Sequence, residues 1–313
     1  MSESKSPILT LLLLVTACSS GPSFDPDLEK QLADQDTQEK QRLEDEGRPE
    51  RVILKLDQAI DKYVEGLSNQ GLQRADHLVE SMTTYIRQTV RLNFPMLLSM
   101  ATEQDGMMVS NRAIAVAALG FSEREEALDP LLNALASKHQ TVITNAAFGL
   151  RMLRDPRTPA ARLGEIIENE KVRLETRVGA SDALLELQPV LHNSDAAVLT
   201  WARLAYLPLD EIDPAIQLHA VRGLGLTRDA RHADTVLRFA KHSQPLIRCA
   251  TAVALARLGK QDSYKTLLTM LGPGETNQNV RLYARKALMA LAGGVDVAYD
   301  VDEWTRLFER GDG

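Results

Sequence analysis

Aromatic side chains are scarce in this chain: phenylalanine, tyrosine and tryptophan make up 4% of its 313 residues, and only two of them are tryptophan. Strand-built cores draw on aromatic and β-branched residues, so this scarcity argues for helices packed through Ala and Leu. Cysteine is rarer still. Cys18 and Cys249 are the whole complement, which excludes a Cys-rich metal site. Positive charge is not in surplus either, with a formal charge of −7 and a pI near 5.5. Phosphate contacts need a basic surface, so a general nucleic-acid binder is excluded. No apolar run is long enough to cross about 30 Å of hydrocarbon. There is no Gly-rich phosphate loop and no Gly-x-Ser-x-Gly.

What is present is a repeat. In Val280–Leu291 an apolar anchor, Val280, is followed by Arg281, by small residues four and seven later (Ala284, Ala287) and by Leu288 at eight. Five earlier copies are anchored at Asn111, Val142, Val172, Ile216 and Ile247. The seventh position is Ala or Gly in every copy: Ala118, Gly149, Gly179, Gly223, Ala254 and Ala287. Leu fills the eighth in all but one, where Ala180 stands instead. Offsets of four, seven and eight share one stripe of an α-helix. A stripe of alternating small and large residues lets neighbouring helices approach and interlock. Anchors spaced by 31, 30, 44, 31 and 33 residues predict a stacked array and not one globular core. The long interval predicts an insertion around Gln188–Ser194 and Leu207–Ile212.

The N-terminus has a different character. Residues 1–17 have the form of a signal peptide, aliphatic from Ile8 to Val15 and ending in Val15-Thr16-Ala17-Cys18. This order resembles the lipobox of bacterial lipoproteins. The resemblance implies cleavage before Cys18, lipidation of its sulfur, and a chain anchored in the cell envelope by acyl groups, a durable attachment. Ser19 after the cysteine is similar to lipoproteins sorted to an outer membrane, facing the periplasm. Residues 18–50 then form an acidic tether with ten carboxylates between Asp25 and Glu50 against Lys30, Lys40, Arg42 and Arg48. Such composition cannot repay ordering entropy. Residues 51–92 are expected to form a two-helix N-terminal cap, 93–292 the repeat array, and 293–313 a C-terminal cap and tail.

The repeat blocks resemble the HEAT-repeat family in its short bacterial form, through Val280-Arg281, Val172-Arg173 and Ile247-Arg248. The ending is similar too, with Gly293-Gly294, Tyr299-Asp300 and Trp304. The resemblance implies an all-α, right-handed α-solenoid of about six helix pairs. It departs from the family where Asp usually precedes the inner helix, since Gln278, Asn279, Gln244 and Glu170 stand there. Di-iron hydroxylases among such proteins use repeated His-Glu pairs. None of the six histidines here is followed by Glu, and no metal or other cofactor is expected. A relative of another kind, a bilin-attaching lyase, is contradicted by no motif.

Charge placement points to a surface. Thirteen basic residues on the inner helices face three acidic ones, Glu175, Asp182 and Glu186. Arg112, Arg173, Arg248 and Arg281 follow their anchors and are expected to tie off neighbouring carbonyls. Arg177, Arg222, Arg285 and Lys286 fall five or six after theirs, off the packed stripe. They are expected to form a basic row along the concave side, where a cleft of one sign focuses its field on an anionic partner. Cys249 is expected to be a buried filler and not a reactive thiol. The function expected is non-catalytic: a membrane-anchored scaffold that binds a partner protein. The alternatives are a carrier taking a small anionic ligand or lipid in the groove, or a lyase-type enzyme.

Overall fold

The computed structural model describes residues 47–69, 73–102 and 107–310, so the leader, Cys18 and most of the tether lie outside the described residues. The chain divides into residues 1–48 and 49–313, and the second unit is the body described here. Its described residues form α-helices with three short 3-10 turns. The cap comprises α1 (Pro49–Ser68) and α2 (Gln73–Ala101), the first beginning slightly ahead of residue 51. The six inner helices are α3 (Val109–Leu119), α5 (Gln140–Leu153), α7 (Leu174–Leu187), α9 (Pro214–Leu226), α11 (Pro245–Leu258) and α13 (Gln278–Leu291). Between them run the outer helices α4 (Leu128–Ala134), α6 (Ala160–Glu168), α8 (Asp195–Tyr206), α10 (Ala233–Leu237) and α12 (Tyr264–Leu271). Helix α14 (Val301–Glu309) closes the end. Each inner helix packs on the next inner helix and on its own outer helix, the arrangement of an α-solenoid.

The first outer helix is no separate element. It is the second arm of α2, set off by a kink at Asn93 (φ −115°, ψ 16°). Pro95 explains the break, because it has no amide hydrogen to donate and its ring crowds the carbonyl four residues back, at Arg91. Elsewhere proline opens helices: Pro214 and Pro245 are the first residues of α9 and α11, where a missing amide hydrogen costs nothing. Asp213 and Asn277 cap α9 and α13 by accepting from amides in their first turns, at 2.8 Å and 3.0 Å. Gly259, at φ +67°, ends α11 in the left-handed conformation.

The inner stripe is the core. Leu119, Leu150, Leu184, Leu224, Leu255 and Leu288 are all fully buried, each stabilising the stack by about 1.5–3 kcal/mol as an upper estimate. Small residues let the helices close on one another. A Cβ placed on Gly120 would stand 2.6 Å from the Gly149 Cα, so backbone meets backbone between the first two pairs.

One repeat is displaced from its sequence assignment. Val172 lies outside α7, whose third residue is Thr176, whereas the other anchors from Val142 onward are the third residue of their helices. The true anchor is Thr176. Ala180, Ala183 and Leu184 then take the fourth, seventh and eighth places, and all are fully buried. Gly179, assigned to the seventh, is only half-buried. The intervals become 34 and 40 residues, and the loops at 188–194 and 207–213 carry the excess.

Candidate functional site

With α7 in its proper register, the position after the anchor has one role in five of the six copies, the exception being the apolar, buried Ile143 of α5. Arg112 Nε donates to the Ala101 carbonyl at 3.0 Å, Arg177 Nε to Ile167 at 2.8 Å and Arg281 Nε to Leu271 at 2.8 Å. Gln217 does the same to Leu209 at 2.5 Å, and Arg248 Nη1 to His242 at 2.7 Å. Each closes the last turn or following loop of the preceding outer helix, where carbonyls lack partners within the helix. Arg248 also grips Glu275 with a fork of 2.7 and 2.8 Å, and these hydrogen bonds hold the Glu275 carboxyl below the usual range.

Two sequence assignments are thereby corrected. Arg173 is not a tie. It is the exposed N-cap of α7, where its amide donates to Gln140 Oε1 at 2.6 Å. Arg177 takes the tie instead and leaves the expected basic row, because the anchor lies one turn later than the Val172-Arg173 pair suggests. Arg285 is committed elsewhere as well. Its guanidinium forks onto Asp296, at 2.9 Å through Nε, and lies over the Tyr299 ring with its carbon 5.1 Å from the centroid. Lys286 is exposed beside the Tyr283 ring, 5.6 Å from its centroid. Only Arg222 of that row lines the groove itself.

The groove is an open concavity of about 430 Å³. Residues from α7, α9, α11 and α13 line it, together with Arg154 just past α5. Its floor is apolar, with Leu185, Leu226 and Val253, and the exposed Leu246 stands beside them in the lining. Around that floor stand Arg154, Arg222 and Arg257, with Tyr283 at one end. Cys249 is there too, and burial raises its thiol pKa more than Arg248 lowers it, which makes it a poor nucleophile. The basic surplus is smaller than the tally of residues suggests. Arg151 pairs with Asp182 at 3.0 Å and Arg154 with Glu186 at 3.9 Å. Arg222 and Arg257 form no ion pair or hydrogen bond among the described residues, and both are exposed. Arg257 was legible as one of the thirteen inner-helix cations. It was missed as part of the row because it falls ten, not five or six, after its anchor.

Toward the other end the concave positions are covered. Tyr63 of α1 packs edge-on against Phe121 at 5.3 Å and against Phe148 at 6.3 Å between centroids. Its hydroxyl reaches Met152 Sδ at 3.5 Å. Phe148 falls six after its anchor, and Phe121 and Met152 fall ten after theirs. Those are the offsets that Arg222, Leu226, Val253 and Arg257 occupy in the open groove.

The carboxylates near the C-terminus have a structural setting. Asp300 is the N-cap of α14, accepting from the Glu303 amide at 2.9 Å, and Trp304 is fully buried below it. Among the described residues no cluster of His, Cys, Asp and Glu has the makings of a metal site, and no helix is long and apolar enough to cross a membrane.

The HEAT-repeat family model matches residues 203–292, from the end of α8 through α13. The fold is a HEAT-type α-solenoid. An engineered protein solved by the Northeast Structural Genomics Consortium resembles it in structure, with a TM-score of 0.51 at 14% identity over 80% of this chain and 71% of the other. A second likeness is to the complex of CpcE and CpcF of phycocyanin lyase from Nostoc sp., with a TM-score of 0.39 at 16% identity over 84% of this chain and 94% of that one. A likeness so distant bears on neither activity nor partner. No curated protein matches the chain in sequence.

Proposed function

We propose that this protein is a non-catalytic HEAT-repeat scaffold that binds a partner protein in the concave groove between α7 and α13. It is held in the cell envelope by acyl groups on Cys18, at an outer membrane and facing the periplasm, with residues 18–50 as its leash. The observation that carries the binding role is the groove: an apolar floor, open along several successive inner helices, with unpaired guanidiniums at its edge. A floor of this kind supplies the hydrophobic centre of an interface, and the charges at its edge supply orientation and on-rate.

Site-specific photo-crosslinking in cells tests the binding role. A crosslinker at Leu226 or Val253 should capture one protein in stoichiometric yield, and one at Lys265 on α12 should not. Equal capture from both positions, or from neither, overturns it. If native mass spectrometry of the purified chain instead shows a bound small anion or lipid, the carrier reading replaces the scaffold. Anchoring is tested separately: the Cys18→Ser variant should take up no fatty-acid analogue, and equal labelling of variant and parent would end the lipoprotein reading.

A further inference from the structure

The molecule already contains one segment seated on its concave side. Helix α1 sets the Tyr63 ring on Phe148 and Met152, at concave offsets of α5, and on Phe121 in the turn that follows α3. An aromatic side chain delivered by a passing segment is therefore something this surface accommodates. At the same offsets further along, α9 has Arg222 then Leu226, and α11 has Val253 then Arg257. The order reverses between adjacent helices. The result is a small checkerboard, two aliphatic positions on one diagonal and two cations on the other.

Within the groove lining, Arg222 and Arg257 differ from Arg154 in having no partner among the described residues. Arg151, Arg154, Arg248 and Arg285 each meet a carboxylate from a neighbouring element. Arg222 and Arg257 have none among the described residues. An unpaired guanidinium presents a planar fork that fits a carboxylate with two parallel hydrogen bonds. The lining runs from the end of α5 to Tyr283 on α13. Four packing steps at about 8–10 Å each make about 30–40 Å of contour, the reach of about ten extended residues. A nucleic acid strand carries a phosphate at every nucleotide, and two unpaired guanidiniums beside Leu226 and Val253 answer only two of them.

We infer that the occupant of the groove is an extended acidic segment of the partner protein. It places an apolar side chain between Leu226 and Val253 and carboxylates on Arg222 and Arg257. The inference rests on the scaffold reading and adds the chemistry of what is bound.

The probe is a fluorescein-labelled peptide with aspartates flanking a central Leu-Phe pair, titrated with the full chain in detergent and followed by anisotropy. Two control peptides replace the aspartates by lysine or the Leu-Phe pair by two serines. The acidic apolar peptide should bind with an affinity that falls with salt, and both controls should bind about tenfold more weakly. The double variant Arg222→Gln with Arg257→Gln should lose about tenfold and flatten the salt slope, with unchanged far-UV circular dichroism. Lys265→Gln should bind as the parent does. Failure of the acidic peptide to bind, or equal binding by the double variant with normal helicity, overturns the inference. So does displacement by laurate at the same concentration, which would assign the groove to a small amphiphile. If groove positions still crosslink a protein after such a failure, the scaffold reading stands and only the acidic segment is lost. If they crosslink nothing, both fall.

Discussion

The two halves of the concave face use the same repeat positions in opposite ways. In the first two pairs those positions hold Phe121, Phe148 and Met152, and the chain covers them itself with Tyr63. In the later pairs they hold Arg222, Leu226, Val253 and Arg257, and nothing within the described body covers them. An inner helix must spend one stripe on the stack, but its remaining face is unconstrained by the fold. The first half spends that face on stability and the second leaves it for an encounter. Changes to the covered half should therefore cost folding energy, and changes to the open half should cost binding.

The sharpest way to break this contrast is Tyr63→Ala. The ring is nearly fully buried against two others, and removing a large buried side chain typically costs about 3–5 kcal/mol. Denaturant unfolding should show the loss, and peptide binding at Arg222 and Arg257 should be unchanged. A variant with parental stability would mean that Tyr63 is no part of the stack.

Glycine substitutions probe the seams of each half, with an effect of the next size. Alanine at Gly120 would drive its Cβ into the Gly149 backbone, which cannot swing aside. Alanine at Gly223 would press on the Trp201 indole instead. That ring is fixed too, since it donates to Gln188 Oε1 at 2.8 Å while Gln188 donates to the Gly223 carbonyl at 3.0 Å. Overpacking costs about 1–3 kcal/mol, and Gly120 should sit at the upper end because both partners are backbone. Leucine at Gly223 should cost more than alanine there. Thermal melts that rank Gly223 above Gly120, or that do not move for either, would contradict the packing described.

The stack itself was legible because the stripe is a local pattern repeated six times. Its one misassignment is instructive. Val172-Arg173 and Thr176-Arg177 stand one turn apart, and either start places small residues four and seven later. The eighth position separates them, with Ala180 from the first start and Leu184 from the second. The missing leucine was the signal, and Arg177 moved from groove to tie once it was honoured. The partners of the cations were not legible. Arg151 finds Asp182, Arg248 finds Glu275 and Arg285 finds Asp296 across turns or helices, by distances that no periodicity encodes. Nor does any local pattern say that α1 delivers Tyr63 to residues 58 or more positions away.

The smallest expected effect lies beside the boundary between the halves, at His219. Its Nδ1 is 2.7 Å from Ser181 Oγ, and that hydroxyl is itself 2.8 Å from the Val178 carbonyl, to which it donates. The imidazole must then donate from Nδ1. Burial lowers its pKa below 6.5, opposed by Asp182 and helped by Arg222 and Arg151. The sign follows from linkage. Above pH 6.5 the ring is neutral whether the chain is folded or not. Below it the unfolded chain binds the proton first, so stability falls with pH until the lowered folded pKa is reached. One such group contributes at most about 1.4 kcal/mol per pH unit. His219→Gln should remove part of the acid-side slope of the unfolding midpoint and leave the part due to His242, which burial also lowers. Arg222→Gln should shrink the slope, since that guanidinium disfavours the imidazolium, and Asp182→Asn should steepen it. Opposite responses to the two substitutions would show that Arg222's charge is felt at the boundary as well as in the groove. Identical slopes in all three variants would mean that the ring titrates as an exposed histidine does.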